Sequence, residues 1–228
     1  MTSGYWDREL LLTLNSLVGD GLPYVWEFAN NPLFRGFPIF LALVSLWFSG
    51  DCMRRRSRML VGLLAVCLAT VLSVWTQFHF DVHTRPILDP ALHLKIADPK
   101  WSLNWDRNSS FPSDTATLYF ALVAVILLEN RLVGFLCFLW AVAVIAVPRV
   151  VFGWHYPSDL LGSLILGPGC VLFFNSIPYL RMLVERLLML FEGRFYLVHA
   201  LLFIFLADAF NLFHSLEEAG KNLVRLIG

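Results

Sequence analysis

The segment RVVFGWHYPSD, residues 149–159, is followed by the apolar run from Leu160 to Leu180. That run is long enough to cross a bilayer as a helix. Arg149, His155 and Asp159 stand just before it, and ionisable groups near membrane depth are costly unless they face a polar cavity. The segment therefore predicts a helix junction at one membrane face, with a functional cluster built into it.

The composition of the whole chain is typical of a membrane protein. Of its 228 residues, 58% are hydrophobic and 15% are charged, and the mean hydropathy is +0.67, whereas an ordinary soluble domain is about a quarter charged. Six stretches are candidate membrane spans: 33–50, 59–80, 115–128, 132–148, 160–180 and 195–207. We therefore expect an all-α fold, a polytopic membrane helical bundle of about six transmembrane helices.

The first 31 residues are not predicted to span the membrane, because Asp20 and Glu27 interrupt their apolar character. Their apolar residues fall near one helical face, which favours an amphipathic helix lying in the membrane interface. Charged residues at positions 7–9 also argue against a cleavable signal peptide. The domain prediction is an interfacial segment at 1–31 and a transmembrane core at 32–180, followed by an interfacial helix, a last span and a tail at 181–228.

The positions of the arginines predict the orientation. The run from Met53 to Arg58 contains four arginines and separates the first two spans, so it should be cytoplasmic. Alternation of the spans then places the 81–110 loop and the 149–159 junction together on the extracytoplasmic face. The polar motifs of the chain therefore share one side of the membrane.

Several classes of function and site receive no support. The formal net charge is zero, and the only basic run is the arginine cluster, so no nucleic-acid partner is expected. The cysteines lack a CxxC spacing and are expected to be packing residues: Cys52, Cys67, Cys137 and Cys170. The loop histidines match no common metal site, and we expect neither a metal nor a cofactor.

His155 is the candidate nucleophile. A neutral imidazole attacks through one ring nitrogen when the other is held as a hydrogen-bond donor. Asp159 follows four residues later, and helical spacing places its carboxylate beneath the ring, with Pro157 suited to the first turn. This is the orienting logic of a serine-protease triad, with histidine acting as the nucleophile.

The remaining motif residues are suited to binding phosphate. Arg85, before Pro86, and Arg149 carry guanidinium groups that match phosphate oxygens bidentately. Ser113 lies in the sequence Phe111-Pro112-Ser113-Asp114 at the expected start of the third span. A helix N-terminus offers free N–H groups and the positive end of its dipole to an anion. Ser109 or Ser110 could cap this helix.

Taken in order, Arg-Pro, Pro-Ser and Arg-x5-His-x3-Asp resemble the motifs of the type-2 phosphatidic acid phosphatases, the membrane relatives of vanadium haloperoxidases. The resemblance covers roughly residues 33–177. This stretch is similar to the bacterial branch of the family, which contains undecaprenyl pyrophosphate phosphatases and the lipid A phosphotransferase. It implies a phosphohistidine intermediate on His155, oriented by Asp159. It also implies phosphate contacts from Arg85, Ser113 and Arg149.

Two positions depart from the family pattern. Phe78 stands where the family usually has lysine, and Thr115 stands where it has the histidine that protonates the leaving group. Three explanations are open. Another group protonates the leaving group, or the substrate is a diphosphate whose leaving group needs little protonation, or the protein only binds phospholipid headgroups. The candidate acids are Asp114, His79, His83, His93 and Asp106, with Thr115 itself a weak candidate.

The sequence thus predicts an enzyme, a lipid phosphatase or phosphotransferase acting on an isoprenoid diphosphate. Its expected location is the bacterial inner membrane, as a multi-pass protein with the active site facing the periplasm. The alternative is a catalytically impaired lipid-phosphate-binding or transport accessory protein. The expected partners are the lipid phosphate or diphosphate substrate and membrane lipids, and the oligomeric state is left open.

Overall fold

The computed structural model describes residues 4–49, 53–96 and 109–210, without the side chains of residues 32, 33 and 210. Every regular element within these residues is helical. The α-helices are α1 (Tyr5–Val18), α2 (Leu22–Asn30), α3 (Pro32–Phe48), α4 (Met53–His79), α5 (Asp114–Glu129), α6 (Arg131–Trp140), α7 (Val147–Val151), α8 (Pro157–Ser176), α9 (Pro178–Met189) and α10 (Phe195–Phe210). A π-helical segment, Ala141–Ala146, joins α6 to α7, and 3₁₀ turns occupy Gly19–Gly21, Pro86–Leu88 and Pro90–Leu92.

Helix α5 is the centre of the bundle and packs against α4, α6 and α8. Every residue from Thr115 to Ile126 is buried, so this helix is apolar on all sides, as a core helix must be. A Cβ added to Gly167 of α8 would lie 2.6 Å from the carbonyl oxygen of Thr117. Glycine therefore allows the α5 and α8 backbones to approach closely.

The structure confirms the all-helical fold, but within the described residues it does not confirm the expected number of six spans. Four described segments are long and apolar enough to cross a membrane: Tyr5–Phe48, Met53–His79, Arg131–Val151 and Pro157–Ser176. Helix α5 has 16 residues between caps at Ser113 and Asn130, about 24 Å at 1.5 Å per residue, which is short of a ~30 Å hydrocarbon core. The last apolar helix, Phe195–Ala209, is also short.

The N-terminal segment consists of α1 and α2, and it docks on the junction between α7 and α8. Asp7, Leu11 and Asn15 form the buried side of α1. The Asn15 side chain donates hydrogen bonds to the carbonyl oxygens of Val151 at 2.7 Å and Lys95 at 3.0 Å. The expected apolar face is divided, because Leu11 is buried whereas Tyr5 and other residues of that face remain exposed. Contact of these exposed residues with the membrane interface stays a prediction.

Helices α4 and α5 are antiparallel and are joined at the end away from His155. The Glu129 carboxylate accepts hydrogen bonds from Arg58 at 2.8 and 3.1 Å and from Arg55 at 3.2 Å. The side chain of Glu129 is only 1% exposed, so the two guanidiniums compensate a buried charge. This cluster fixes the register of the two helices.

Candidate active site

The three sequence motifs meet at one end of the bundle. The Gln77 amide, at the end of α4, donates to the carbonyl oxygen of Pro112 at 2.7 Å. The Ser110 N–H donates to the carbonyl oxygen of His83 at 2.9 Å. The Ser163 hydroxyl of α8 donates to the carbonyl oxygen of Ser113 at 2.8 Å. These bonds join the 77–85, 109–113 and 155–163 segments across one buried site.

His155 lies at the centre of this site and is 3% exposed. Its Nδ1 is 2.9 Å from the carbonyl oxygen of Ser110 and 3.5 Å from Oδ2 of Asp159. Both neighbours are acceptors, so the geometry favours a proton on Nδ1 and a free electron pair on Nε2. The sequence predicted Asp159 as the orienting group and missed the Ser110 carbonyl, which makes the shorter contact.

The Asp159 carboxylate is buried in the first turn of α8. One oxygen, Oδ2, accepts the backbone N–H of Tyr156 at 2.8 Å and so caps the helix. The other, Oδ1, is 3.3 Å from Nδ1 of His83. The carboxylate therefore connects the helix cap, the central imidazole and a second histidine.

Arg85 lies against the nucleophile candidate. Its Nη1 is 3.3 Å from Nε2 of His155 and 3.3 Å from the carbonyl oxygen of Trp154, and its Nη2 is 3.4 Å from Oε1 of Gln77. Burial lowers the pKa of Arg85, and the charges of Asp114 and Asp159 oppose that shift. The guanidinium faces the ring nitrogen that carries the free electron pair.

The surroundings of His155 favour the neutral ring. Burial is the largest cause and lowers the pKa of His155, while its hydrogen bond with Asp159 opposes that shift and the charge of Arg85 reinforces it. A buried imidazole beside a guanidinium is harder to protonate than one in water. The neutral form is the one that can act as a nucleophile.

Two further arginines extend the positive charge. Arg149, on α7, is 4% exposed, and its guanidinium lies 5.5 Å from the centre of the Trp154 ring. Arg35, on α3, is also buried, and its charge acts on Tyr119 and on Arg149. Arg35 is not part of any of the three sequence motifs. Its sequence signal is that it is a single arginine inside an apolar span, since such residues normally face a polar cavity.

Ser113 caps α5, as its hydroxyl oxygen accepts the N–H of Ala116 at 3.4 Å, so the expected cap at Ser109 or Ser110 is wrong. The first free N–H groups of α5 therefore lie beside the motif, as expected for a helix start. Asp114 is close enough that its charge acts on Arg85, Arg149 and His155. The buried Thr115 hydroxyl is 3.5 Å from Oδ1 of Asp114.

The candidate acids are not equally placed. His79 is exposed at the end of α4 and contacts the carbonyl oxygen of Trp75. His93 is exposed and follows a 3₁₀ turn with a φ of 47°. His83, by contrast, contacts both Asp159 and the Ser110 hydroxyl at 3.3 Å. Asp106 lies outside the described residues. His83 and Asp114 are thus the titratable groups from that set that the structure places beside His155.

The arrangement is suited to holding an anion next to a neutral imidazole. Several guanidiniums and a helix N-terminus provide positive charge, and Nε2 of His155 faces the same region. Such preorganised charge stabilises negative charge that develops on transferring oxygens.

Comparison with known proteins agrees with this chemistry. The PAP2 superfamily model matches residues 58–183, more than half of the chain and all three motifs. The chain is 34% identical over 172 residues to the putative undecaprenyl-diphosphatase YbjG of Escherichia coli, covering 72% of this chain and 81% of that protein. It is 26% identical over 158 residues to undecaprenyl-diphosphatase BcrC of Bacillus subtilis, covering 67% and 75%. No solved structure matches the chain. The chain belongs to the PAP2 superfamily.

Proposed function

We propose that the protein is a lipid phosphatase that hydrolyses an isoprenoid diphosphate, with undecaprenyl diphosphate the leading candidate. The observation that carries the proposal is the position of His155, with Nδ1 held by the Ser110 carbonyl and Nε2 facing Arg85. The names of two similar proteins supply the substrate class.

In the first step, the electron pair of His155 Nε2 attacks the terminal phosphorus. A P–N bond forms, and the bond from phosphorus to the bridging oxygen breaks, so that the lipid monophosphate leaves with that electron pair. Asp159 and the Ser110 carbonyl keep the proton on Nδ1 and stabilise the charge that the ring acquires. Arg85, Arg149 and the N-terminus of α5 stabilise the equatorial oxygens.

In the second step, the oxygen of water attacks the phosphohistidine, and the P–N bond breaks with its electron pair returning to Nε2. The products are inorganic phosphate and neutral His155, and the water proton passes to a nearby base. An acceptor lipid in place of water would make the same chemistry a phosphotransfer. The net hydrolysis converts lipid diphosphate and water into lipid monophosphate and phosphate.

The diphosphate also accounts for Thr115. A phosphate monoester has a second pKa of about 6, so it leaves near neutral pH without a proton, whereas an alkoxide needs one. Threonine cannot donate that proton at neutral pH. The loss of the family histidine is thus tolerable for a diphosphate and costly for a monophosphate ester.

Arg35 is proposed as a third cation for the substrate, replacing the lysine that Phe78 has displaced. A diphosphate carries more negative charge than a monoester and spans a longer distance. Two arginines near His155 and a third buried beside Tyr119 suit that longer anion.

We place the site on the periplasmic side of the bacterial inner membrane. The arginine-rich start of α4 lies at the opposite end of the bundle from His155, and positive loops stay in the cytoplasm. A reporter of membrane topology fused after the described α10 would test this orientation.

A second candidate function is binding of lipid phosphates without hydrolysis. The threonine at position 115, where the family has its acidic histidine, favours this candidate. Phosphate release from undecaprenyl diphosphate, farnesyl diphosphate and a phosphatidic acid separates the two. We expect release from the diphosphates, lost in His155→Ala, with binding of substrate retained. Binding without release in the unaltered protein would support the second candidate.

A further inference from the structure

A cavity of about 450 Å³ lies at the end of the bundle away from His155. We call it the arginine cavity, and α4 and α9 line it through Arg54, Ser57, Arg58, Pro178, Arg181 and Glu185. Its volume is in the range of pockets that hold small-molecule ligands. The phosphatase chemistry does not use it.

The arginine cavity lies at the opposite membrane surface from the catalytic site. Arg58 and Gln77 are on the same helix, α4, and 19 helical residues rise about 29 Å. That distance is close to the ~30 Å thickness of the hydrocarbon core. Gln77 contacts the catalytic segments, so Arg58 lies level with the headgroups of the other leaflet.

The charges of the arginine cavity are unbalanced. Three guanidiniums line it, and one of them, Arg58, is engaged by Glu129 through two hydrogen bonds. Nε of Arg181 is buried and has no hydrogen-bond partner among the described residues. Glu185 is the carboxylate among the lining residues. Glu129 is shared between Arg58 and Arg55, so the two carboxylates do not balance the arginines, and an excess of positive charge is left for a ligand to neutralise.

Backbone groups add to this preference for an anion. Pro178 is the first residue of the 12-residue helix α9, so the positive end of the helix dipole is at the cavity wall. Free N–H groups at such a start bind phosphate. Ser57 is buried, and its hydroxyl donates to the carbonyl oxygen of Arg54.

We propose that the arginine cavity binds the headgroup of an anionic phospholipid in the leaflet opposite the catalytic site. The phosphodiester, with one negative charge, contacts Arg54 and Arg181. Hydroxyl groups of a glycerol headgroup donate to Glu185. Basic pockets between membrane helices are suited to such headgroups, and a phosphatidylglycerol matches both the charge and the donors.

The test uses the full chain in detergent and follows its thermal unfolding midpoint. Short-chain phosphatidylglycerol, short-chain phosphatidylcholine and inorganic phosphate are each titrated. The paired change Arg54→Gln/Arg181→Gln is compared with Arg131→Gln/Arg186→Gln. This control removes the same charge from exposed arginines outside the cavity.

We expect phosphatidylglycerol to raise the midpoint saturably in the unaltered protein and in the control. The cavity variant should need at least roughly tenfold more lipid to reach half of the full rise in the midpoint, because two charge-assisted hydrogen bonds are lost. Arg181→Gln alone provides the comparison if the paired variant does not fold. Hydrolysis of the diphosphate should be unchanged in both variants.

Three results would overturn the proposal. Phosphatidylcholine could stabilise the protein equally, which would show no preference for net charge. Inorganic phosphate could saturate the same response, which would make this a free-anion site. The control pair could weaken the response as much as the cavity pair, which would leave only general surface attraction.

Discussion

Asp7 accepts two hydrogen bonds from Ser158, from the backbone N–H at 2.9 Å and from the hydroxyl at 2.8 Å. Asp7 is 3% exposed, and Ser158 stands immediately before Asp159 in the first turn of α8. The N-terminal helix is therefore attached to the helix turn that contains Asp159. We expect Asp7 to act on the site through Ser158, as a positioning residue.

Asp7→Ala should reduce both stability and turnover. A buried carboxylate with two hydrogen bonds contributes about 2–3 kcal/mol, so we expect a corresponding loss in the free energy of unfolding. Turnover should fall while the KM for the diphosphate changes little, because the phosphate contacts are intact. Glu9→Ala, an exposed change on the same helix, is the control. Equal effects of both changes would contradict a specific role for Asp7.

The pH dependence of kcat/KM should report the neutral form of His155. Burial lowers the pKa of this imidazole, and protonation removes the attacking electron pair. Activity should therefore persist as the pH falls below the ordinary histidine value of about 6.5, and it should be lost only at lower pH. A steady-state profile from about pH 4.5 to 8 tests this. A midpoint of the acidic limb above 6.5 would contradict the expected direction.

Arg35→Met should lower kcat/KM for diphosphate substrates by about 10- to 100-fold, the equivalent of one charge-assisted hydrogen bond. Arg35→Lys should restore part of the loss, since it keeps the charge without the planar fork. Arg131→Met, at an exposed position, should have no effect. An active Arg35→Met enzyme with unchanged kcat/KM would remove Arg35 from the substrate site.

Thr115→His should widen the substrate range. If the acidity of the leaving group explains why threonine is tolerated at position 115, a histidine there supplies the missing proton. That change should then raise the rate of hydrolysis of monophosphate esters. Diphosphate hydrolysis should change much less. Rates on both substrates, measured with Thr115→Ser as the control, test the idea. A folded Thr115→His protein without gain on monophosphates would count against it.

The helical fold and the convergence of the motifs could be predicted, because apolar runs and motif spacing are local features of the sequence. The structure brings five predicted residues together, and their catalytic and binding roles stay predictions: Arg85, Ser113, Arg149, His155 and Asp159. The expected number of six spans is not confirmed, since the stretch 115–128 forms a helix of only 16 residues between its caps at Ser113 and Asn130.

Contacts made by the backbone or between distant segments also escaped prediction. The backbone carbonyl of Ser110 makes the shortest contact with Nδ1 of His155. Every residue has a backbone carbonyl, so the identity of residue 110 does not indicate this contact. Asp7 and Ser158 are far apart in sequence. Arg35 had a local signal, a charge within an apolar run, but only the packing of α3 beside Tyr119 gives it a neighbour in the site.

The central claim is that His155 becomes covalently phosphorylated. The most direct measurement mixes the protein with undecaprenyl diphosphate that is labelled on its terminal phosphate and quenches the reaction rapidly. The protein is then digested at alkaline pH, and the peptides are identified by mass spectrometry. We predict an acid-labile phosphoryl group on the peptide that contains His155, absent from His155→Ala and longer-lived when hydrolysis is slowed. Turnover by His155→Ala at the unaltered rate, or label on another residue, would contradict the account.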